Sequence, residues 1–149
     1  MQISRFYLLA TLLTVCFVSQ ANPPTEKSIA SVTGQVIYRE RIALQPDSVV
    51  TVKLVDVSRA DAKATLLAEQ RITNPGSVPV PFKLDYDPGV IDARMSYAVQ
   101  AQIHDASKKL LWTTTEHIGV ITRENPKNNI DARVHPVNSG KNGFPAPEK

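Results

Sequence analysis

The chain has 149 residues, 42% of them hydrophobic, a formal net charge of +3 and a single cysteine. That length supports one domain with an ordinary core, and one cysteine excludes an internal disulfide or a multi-cysteine metal site. Lys108-Lys109 is the longest basic cluster, so the basic stripe that nucleic-acid binding requires is absent.

The first twenty-one residues read as an address. Met1–Arg5 carries one positive side chain, and Phe6–Val18 is apolar apart from two threonines. Ser19-Gln20-Ala21 places small residues where signal peptidase needs them, so cleavage after Ala21 is expected. The apolar run would make a helix of ~20 Å, short of the ~30 Å hydrocarbon core, which argues against a membrane span. Leu13-Thr14-Val15-Cys16 offers an alternative, because it resembles the site at which bacterial lipoproteins are cleaved and acylated on cysteine. Val15 is larger than the residue such sites carry before the cysteine, and Phe17-Val18 is not a polar tether. The expected product is therefore a periplasmic chain, Asn22–Lys149, with outer-membrane anchoring through Cys16 as the second reading. Without the leader, 16 basic and 14 acidic residues remain, and no cysteine.

Residues 22–29 read as a flexible tether, 30–137 as the folded domain, and 138–149, rich in Gly, Pro and polar residues, as a disordered tail. Eight segments with strand character fill the domain. Val32–Tyr38 sets Val32, Val36 and Tyr38 on one parity. In Val49–Val57, Val50, Val52 and Leu54 alternate with Thr51 and Lys53. Thr65–Thr73 groups Leu66, Ala68 and Ile72 against Glu69 and Arg71. Val78–Leu84 alternates its apolar side chains with Pro79, Pro81 and Lys83. Both prolines address the same lateral side of a strand and neither can donate, so this segment is expected at a sheet edge. Asp87–Asp92 could hold one helical turn with Pro88 at its first position. Tyr97–Ile103, Leu110–Thr115, His117–Thr122 and Asn129–Val137 complete the set, the last with Ile130, Ala132 and Val134 facing one way. Strands of this length, separated by Pro, Gly and Asp turns, predict an all-β antiparallel sandwich of seven or eight strands, immunoglobulin- or transthyretin-like.

Chemistry-bearing constellations are sparse. His104, His117 and His135 lie in no metal-ligand spacing, and His104 and His117 would stand ~23 Å apart on a hairpin. Asp85, Asp87 and Asp92 suit a turn better than an acid–base pair. The serines have no nucleophile elbow and the glycines form no phosphate loop. No enzyme activity, cofactor or metal is expected. Arg39-Glu40-Arg41, together with Arg59, forms the candidate partner-binding rim, since arginine makes planar hydrogen bonds that interfaces use. Trp112 offers a stacking platform for sugars, which keeps a carbohydrate- or cell-wall-binding module open as the alternative function.

The phrase VTGQVIYRERIALQPDSVVTVKLVDVSRAD (Val32–Asp61) resembles the YbaY/YscW family of small bacterial envelope proteins. The likeness returns in VPVPFKLDYDPGVID (Val78–Asp92) and in Tyr97–Ile103. The resemblance implies a compact β-sandwich that binds another envelope protein. By analogy with the pilotin members, it implies a chaperone for a secretin subunit of the outer membrane. The intact mass of the protein from its native envelope tests the leader reading. An unmodified Asn22–Lys149 chain is expected, and an acylated chain beginning at Cys16 would replace that expectation.

Overall fold

The structure, a computed structural model, describes residues 28–137 except residue 41. The leader with Cys16, most of the tether, Arg41 and the 138–149 tail lie outside the described residues. Nine strands follow in order: β1 (Ala30–Ile37), β2 (Val49–Asp56), β3 (Thr65–Thr73), β4 (Val80–Tyr86), β5 (Tyr97–His104), β6 (Leu110–Thr113), β7 (Ile118–Val120), β8 (Ile130–Arg133) and β9 (His135–Pro136). A single 3-10 turn, Pro88–Val90, joins β4 to β5, with Asp87 capping it through a 2.8 Å bond from the Gly89 N–H. Proline at the first position and Asp before it make that turn the one helical element among the described residues, as its sequence predicts.

The strands form two facing sheets, β4-β1-β8 and β3-β2-β5-β6-β9, with β7 also paired to β5. This is the expected all-β sandwich. Val32 and Val36 of one sheet meet Val50, Val52, Leu54, Val99 and Ile103 of the other, and all are fully buried. Each such side chain contributes about 1.5–3 kcal/mol, against about 1 kcal/mol for a typical hydrogen bond, so the alternating valines set the register.

One ladder departs from the antiparallel pattern. β8 runs parallel to β1, Gly34 opposite Ile130, across more than ninety residues of sequence. Val32, Gly34 and Val36 share the inward parity, and at Gly34 the inner space is filled by Ile130 instead. A Cβ on Gly34 would stand 2.1 Å from the Ile130 carbonyl oxygen and 2.8 Å from its Cβ. Glycine is therefore required there by the close approach of two backbones.

The segment from Ile130 to Val137 belongs to both sheets. Val134 donates its N–H to the Ile37 carbonyl at 2.9 Å, while Val137 donates to the Leu111 carbonyl at 2.9 Å and His135 lies opposite Thr113. Even-numbered residues thus face β1 and odd-numbered residues β6, which closes the sandwich along one side at the end where β1 terminates, its upper end. On the other side β3 and β4 lie together without a ladder. The Lys83 N–H, which points away from β1, donates instead to the Gln70 side chain at 2.7 Å. β4 is the edge strand that Pro79 and Pro81 predict.

β3 corrects one sequence expectation. Its register against β2 shifts between Leu54 and Val55, so Ala68 opposes Leu54 but Leu66 opposes Val55. Leu67 is the extra residue of a β-bulge and packs against the core, while Leu66 turns outward and is 52% exposed.

Tyr38, directly after β1, stacks on Trp112 of β6 with ring centroids 4.7 Å apart and planes 20° from parallel. Its hydroxyl donates to the Ile42 carbonyl, tying down the arm that leaves the first sheet. Two substitutions check these readings by denaturant titration and hydrogen exchange. Gly34→Ala is expected to cost at least ~2 kcal/mol, because backbone must shift, and more than Gly76→Ala at an open turn. Tyr38→Phe is expected to leave the stack intact while speeding amide exchange over residues 39–45.

Candidate functional site

The arm after β1 presents exposed charge at the upper end of the sandwich. Arg39 and Glu40 are exposed, Ile42 is partly so, and the arm is rooted by the Tyr38–Trp112 stack. Burial raises the Tyr38 phenol pKa, and the nearby Glu40 charge adds to it, so the hydroxyl stays protonated as the donor to Ile42. Trp112 is 3% exposed. Its ring belongs to the core and cannot stack on a sugar, which removes the platform on which the carbohydrate-binding alternative rested. Tyr86 and Tyr97 are buried too.

The second half of the sequence-predicted rim lies elsewhere. Arg59 follows β2, and the eight residues of that strand carry the chain ~26 Å from the upper end to the lower one. There the Asp56 carboxylate accepts from the Ser58 N–H at 2.8 Å and from its hydroxyl, and the Ser96 N–H bonds to the Ser58 hydroxyl oxygen at 2.9 Å. Arg39 and Glu40 sit together, therefore, while Arg59 stands at the opposite end beside Lys63 and Met95 around a polar hollow of about 290 Å³. Proximity in sequence had grouped residues that a strand separates.

A larger hollow, about 420 Å³, opens on the outer face of the six-stranded sheet near its upper end. Asp47, Arg71, His104, Asp105 and Lys108 surround a floor that includes Val49 and Thr51. Its charges are mixed and several are committed. Arg71 lies 3.4 Å from Glu69, and the Asp105 carboxylate accepts from the Ser107 hydroxyl at 2.6 Å and the Lys109 N–H at 2.9 Å. Those bonds, the hydroxyl first, hold the Asp105 carboxyl below its usual range. This is turn chemistry that fixes the β5–β6 hairpin.

The carboxylates of the β4–β5 region do three separate jobs. Asp85 pairs with Lys83 at 3.0 Å, Asp87 caps the 3-10 turn, and Asp92 is clamped by Arg94 at 2.7 Å. The Arg94 side-chain bond, with help from its backbone N–H, lowers the Asp92 carboxyl to about 2. None faces another across a cleft as an acid–base pair would. His104 ends β5, His117 precedes β7, and His135 approaches Glu116 at 3.9 Å across the β6–β9 junction. Among the described residues no group of three His, Cys, Asp or Glu side chains converges as a metal site.

Comparison with known proteins converges on one family. The family model described as "Type III secretion system lipoprotein chaperone (YscW)" matches residues 27–131. A curated relative, "Uncharacterized lipoprotein YbaY" of Escherichia coli (strain K12), is 34% identical over 86 residues, which is 57% of this chain. The match spans 45% of YbaY, so the chain aligns with about half the length of that relative. Among solved structures, an alternative pilotin from the type II secretion system of Vibrio cholerae superposes with a TM-score of 0.70 at 45% identity. That match covers 74% of this chain and 99% of the pilotin. The family phrase around Gly34 thus rests on geometry as well as spelling, and the chain belongs to the YscW family of secretion-system lipoprotein chaperones.

Proposed function

We propose that the protein is a non-enzymatic binding protein of the bacterial cell envelope that acts as a pilotin-like chaperone, capturing a segment of an outer-membrane secretin subunit. The observation that carries this reading is the similarity to the Vibrio cholerae pilotin, which extends over 99% of that chain at 45% identity. A likeness of that extent includes both sheets and the connections between them. The family description as a lipoprotein chaperone points the same way. The protein would work in the periplasm after loss of its leader, or at the outer membrane if Cys16 is the anchor.

The geometry favours some routes of capture over others. Strand addition to β4 is disfavoured, because Pro81 supplies no donor and Gln70 already occupies the Lys83 N–H. The Arg39–Ile42 arm is better placed. Among its described residues it combines Arg39, Glu40 and a partly exposed Ile42 on a base fixed by an aromatic stack, and arginine with an apolar neighbour makes an efficient interface anchor. Arg59, at the other end, would contribute to a separate contact.

Affinity capture from envelope extracts, followed by binding measurements with the recovered secretin, tests the proposal. The secretin is expected to co-purify, and Arg39→Glu with Arg41→Glu is expected to weaken binding about 10-fold. Normal outer-membrane assembly of every secretin in a strain lacking the protein would overturn the reading.

A further inference from the structure

The lower end of the sandwich, where Ser28 enters β1, carries a hollow of about 360 Å³ with an apolar floor. Tyr86, Pro88, Ile91 and Ile121 line it, Arg123 and Lys127 stand at its rim, and no carboxylate is part of its wall. The nearby acids are engaged: Asp87 accepts from the Gly89 N–H, and Asp92 is clamped by Arg94. Glu124 is the exposed exception, next to Arg123.

The floor is held in an uncommon backbone conformation. Ile121 has φ of 72°, and the Thr122 N–H donates to the Val120 carbonyl at 2.8 Å, a γ-turn of the rare positive-φ kind. Arg123 and Glu124 follow at φ 57° and 63°. A β-branched residue in that region is strained and persists only where its surroundings hold it. Here the Thr122 hydroxyl donates to the Met95 carbonyl at 2.8 Å, and the Asn125 side chain donates to the Thr122 carbonyl at 2.8 Å, folded against Gly119. The strained loop places an isoleucine inside the hollow and two cations around it.

Exposed apolar side chains lie at the same end of the sandwich as the hollow. Ala30 opposes Tyr86, so continuing the register brings Ile29 beside Asp87 and the 3-10 turn that bears Val90. Ile29 and Val90, 71% and 55% exposed, are the most exposed large apolar side chains among the described residues. Both lie at this end of the sandwich: Val90 stands between Pro88 and Ile91 of the hollow's wall, and Ile29 precedes Ala30, which pairs with Tyr86. The chain ahead of Ser28 joins the domain at this end, whereas Val137 leaves it at the other, beside Leu111.

We propose that this hollow binds the headgroup phosphate and adjoining acyl–glycerol region of an anionic phospholipid, so that the lower end of the domain faces a membrane. Arg123 and Lys127 take the phosphate, and Ile29 and Val90 enter the interfacial layer. Basic residues beside an anionic surface and apolar side chains at its boundary act together in this way. The inference is independent of secretin capture, since it concerns a different end of the molecule and a different ligand.

The test uses the full chain carrying Cys16→Ser, which leaves no thiol to acylate. Amide spectra are followed during titration with short-chain phosphatidylglycerol, with phosphatidylcholine and with inorganic phosphate. Shifts are expected at Tyr86, Ile91, Ile121, Arg123 and Lys127 with phosphatidylglycerol, and much weaker ones with the other two. Arg123→Glu with Lys127→Glu is expected to lower affinity about 30-fold, the factor for two basic residues at ~1 kcal/mol each. Lys108→Glu with Lys109→Glu, the same charge change at the far end, should leave affinity unchanged, and Val90→Asp should weaken it without altering the fold. Equal shifts with inorganic phosphate would make the hollow a phosphate site and overturn the proposal. Equal loss in both charge pairs, shifts centred elsewhere, or none would overturn it too, as would displacement of the lipid by an acidic peptide of higher affinity.

Discussion

The fold depends on one absent methyl group. Where β1 carries Gly34, the backbone of β8 comes so near that its Ile130 carbonyl occupies the place of a side chain. That approach lets a strand from the end of the domain pair with the first strand, and it sends Ile130 into the core at a position where valine would otherwise point. From Ile130 onward the chain can lie between β1 and β6, which unites the two sheets on one side. Glycine is entropically costly in a strand, by about 0.5–1 kcal/mol relative to alanine. The burial of Ile130, Ala132 and Val134 exceeds that cost several-fold.

The opposite side of the sandwich is closed by different means. There β3 and β4 adjoin without a backbone ladder, and the side chain of Gln70 supplies the acceptor that a neighbouring strand would have given. With Pro81 in β4, the seam offers little to an approaching strand. Such protection keeps two copies of the chain from joining edge to edge along this seam. The charged arm sits away from this seam, on a base made rigid by Tyr38 and Trp112.

Much of this was legible in the sequence, for physical reasons that can be named. Period-two alternation located the strands because inward valines must recur every second residue when one face of a sheet is buried. Pro79 and Pro81 marked the edge because a missing donor is a local fact, and Asp87-Pro88 marked the 3-10 turn for the same reason. What remained hidden was long-range. No local pattern reveals that Gly34 meets Ile130, so an all-antiparallel arrangement was expected and one parallel ladder went unseen. Leu66 was assigned inward because a bulge at Leu67 changes parity without changing composition. Trp112, on a strand alternating Leu110, Trp112 and Thr114, reads as a core ring more readily than as a platform, and its burial against Tyr38 agrees. Arg39 and Arg59 shared a phrase, yet the strand between them puts them at opposite ends. The hollow around Ile121 carried no motif, although the run Ile121–Lys127 mixes turn residues with two cations.

The strand shared by both sheets has a kinetic consequence. Gly34 and Ile130 are nearly a domain length apart, so the contact that unites the sheets is also among the slowest for the chain to find. During synthesis the first strand has no parallel partner until the last strands arrive. Early hairpins such as β5–β6 can form and dissolve, but no cooperative unit is complete. A polypeptide built in this order completes the union of its two sheets only after its last strands have been made.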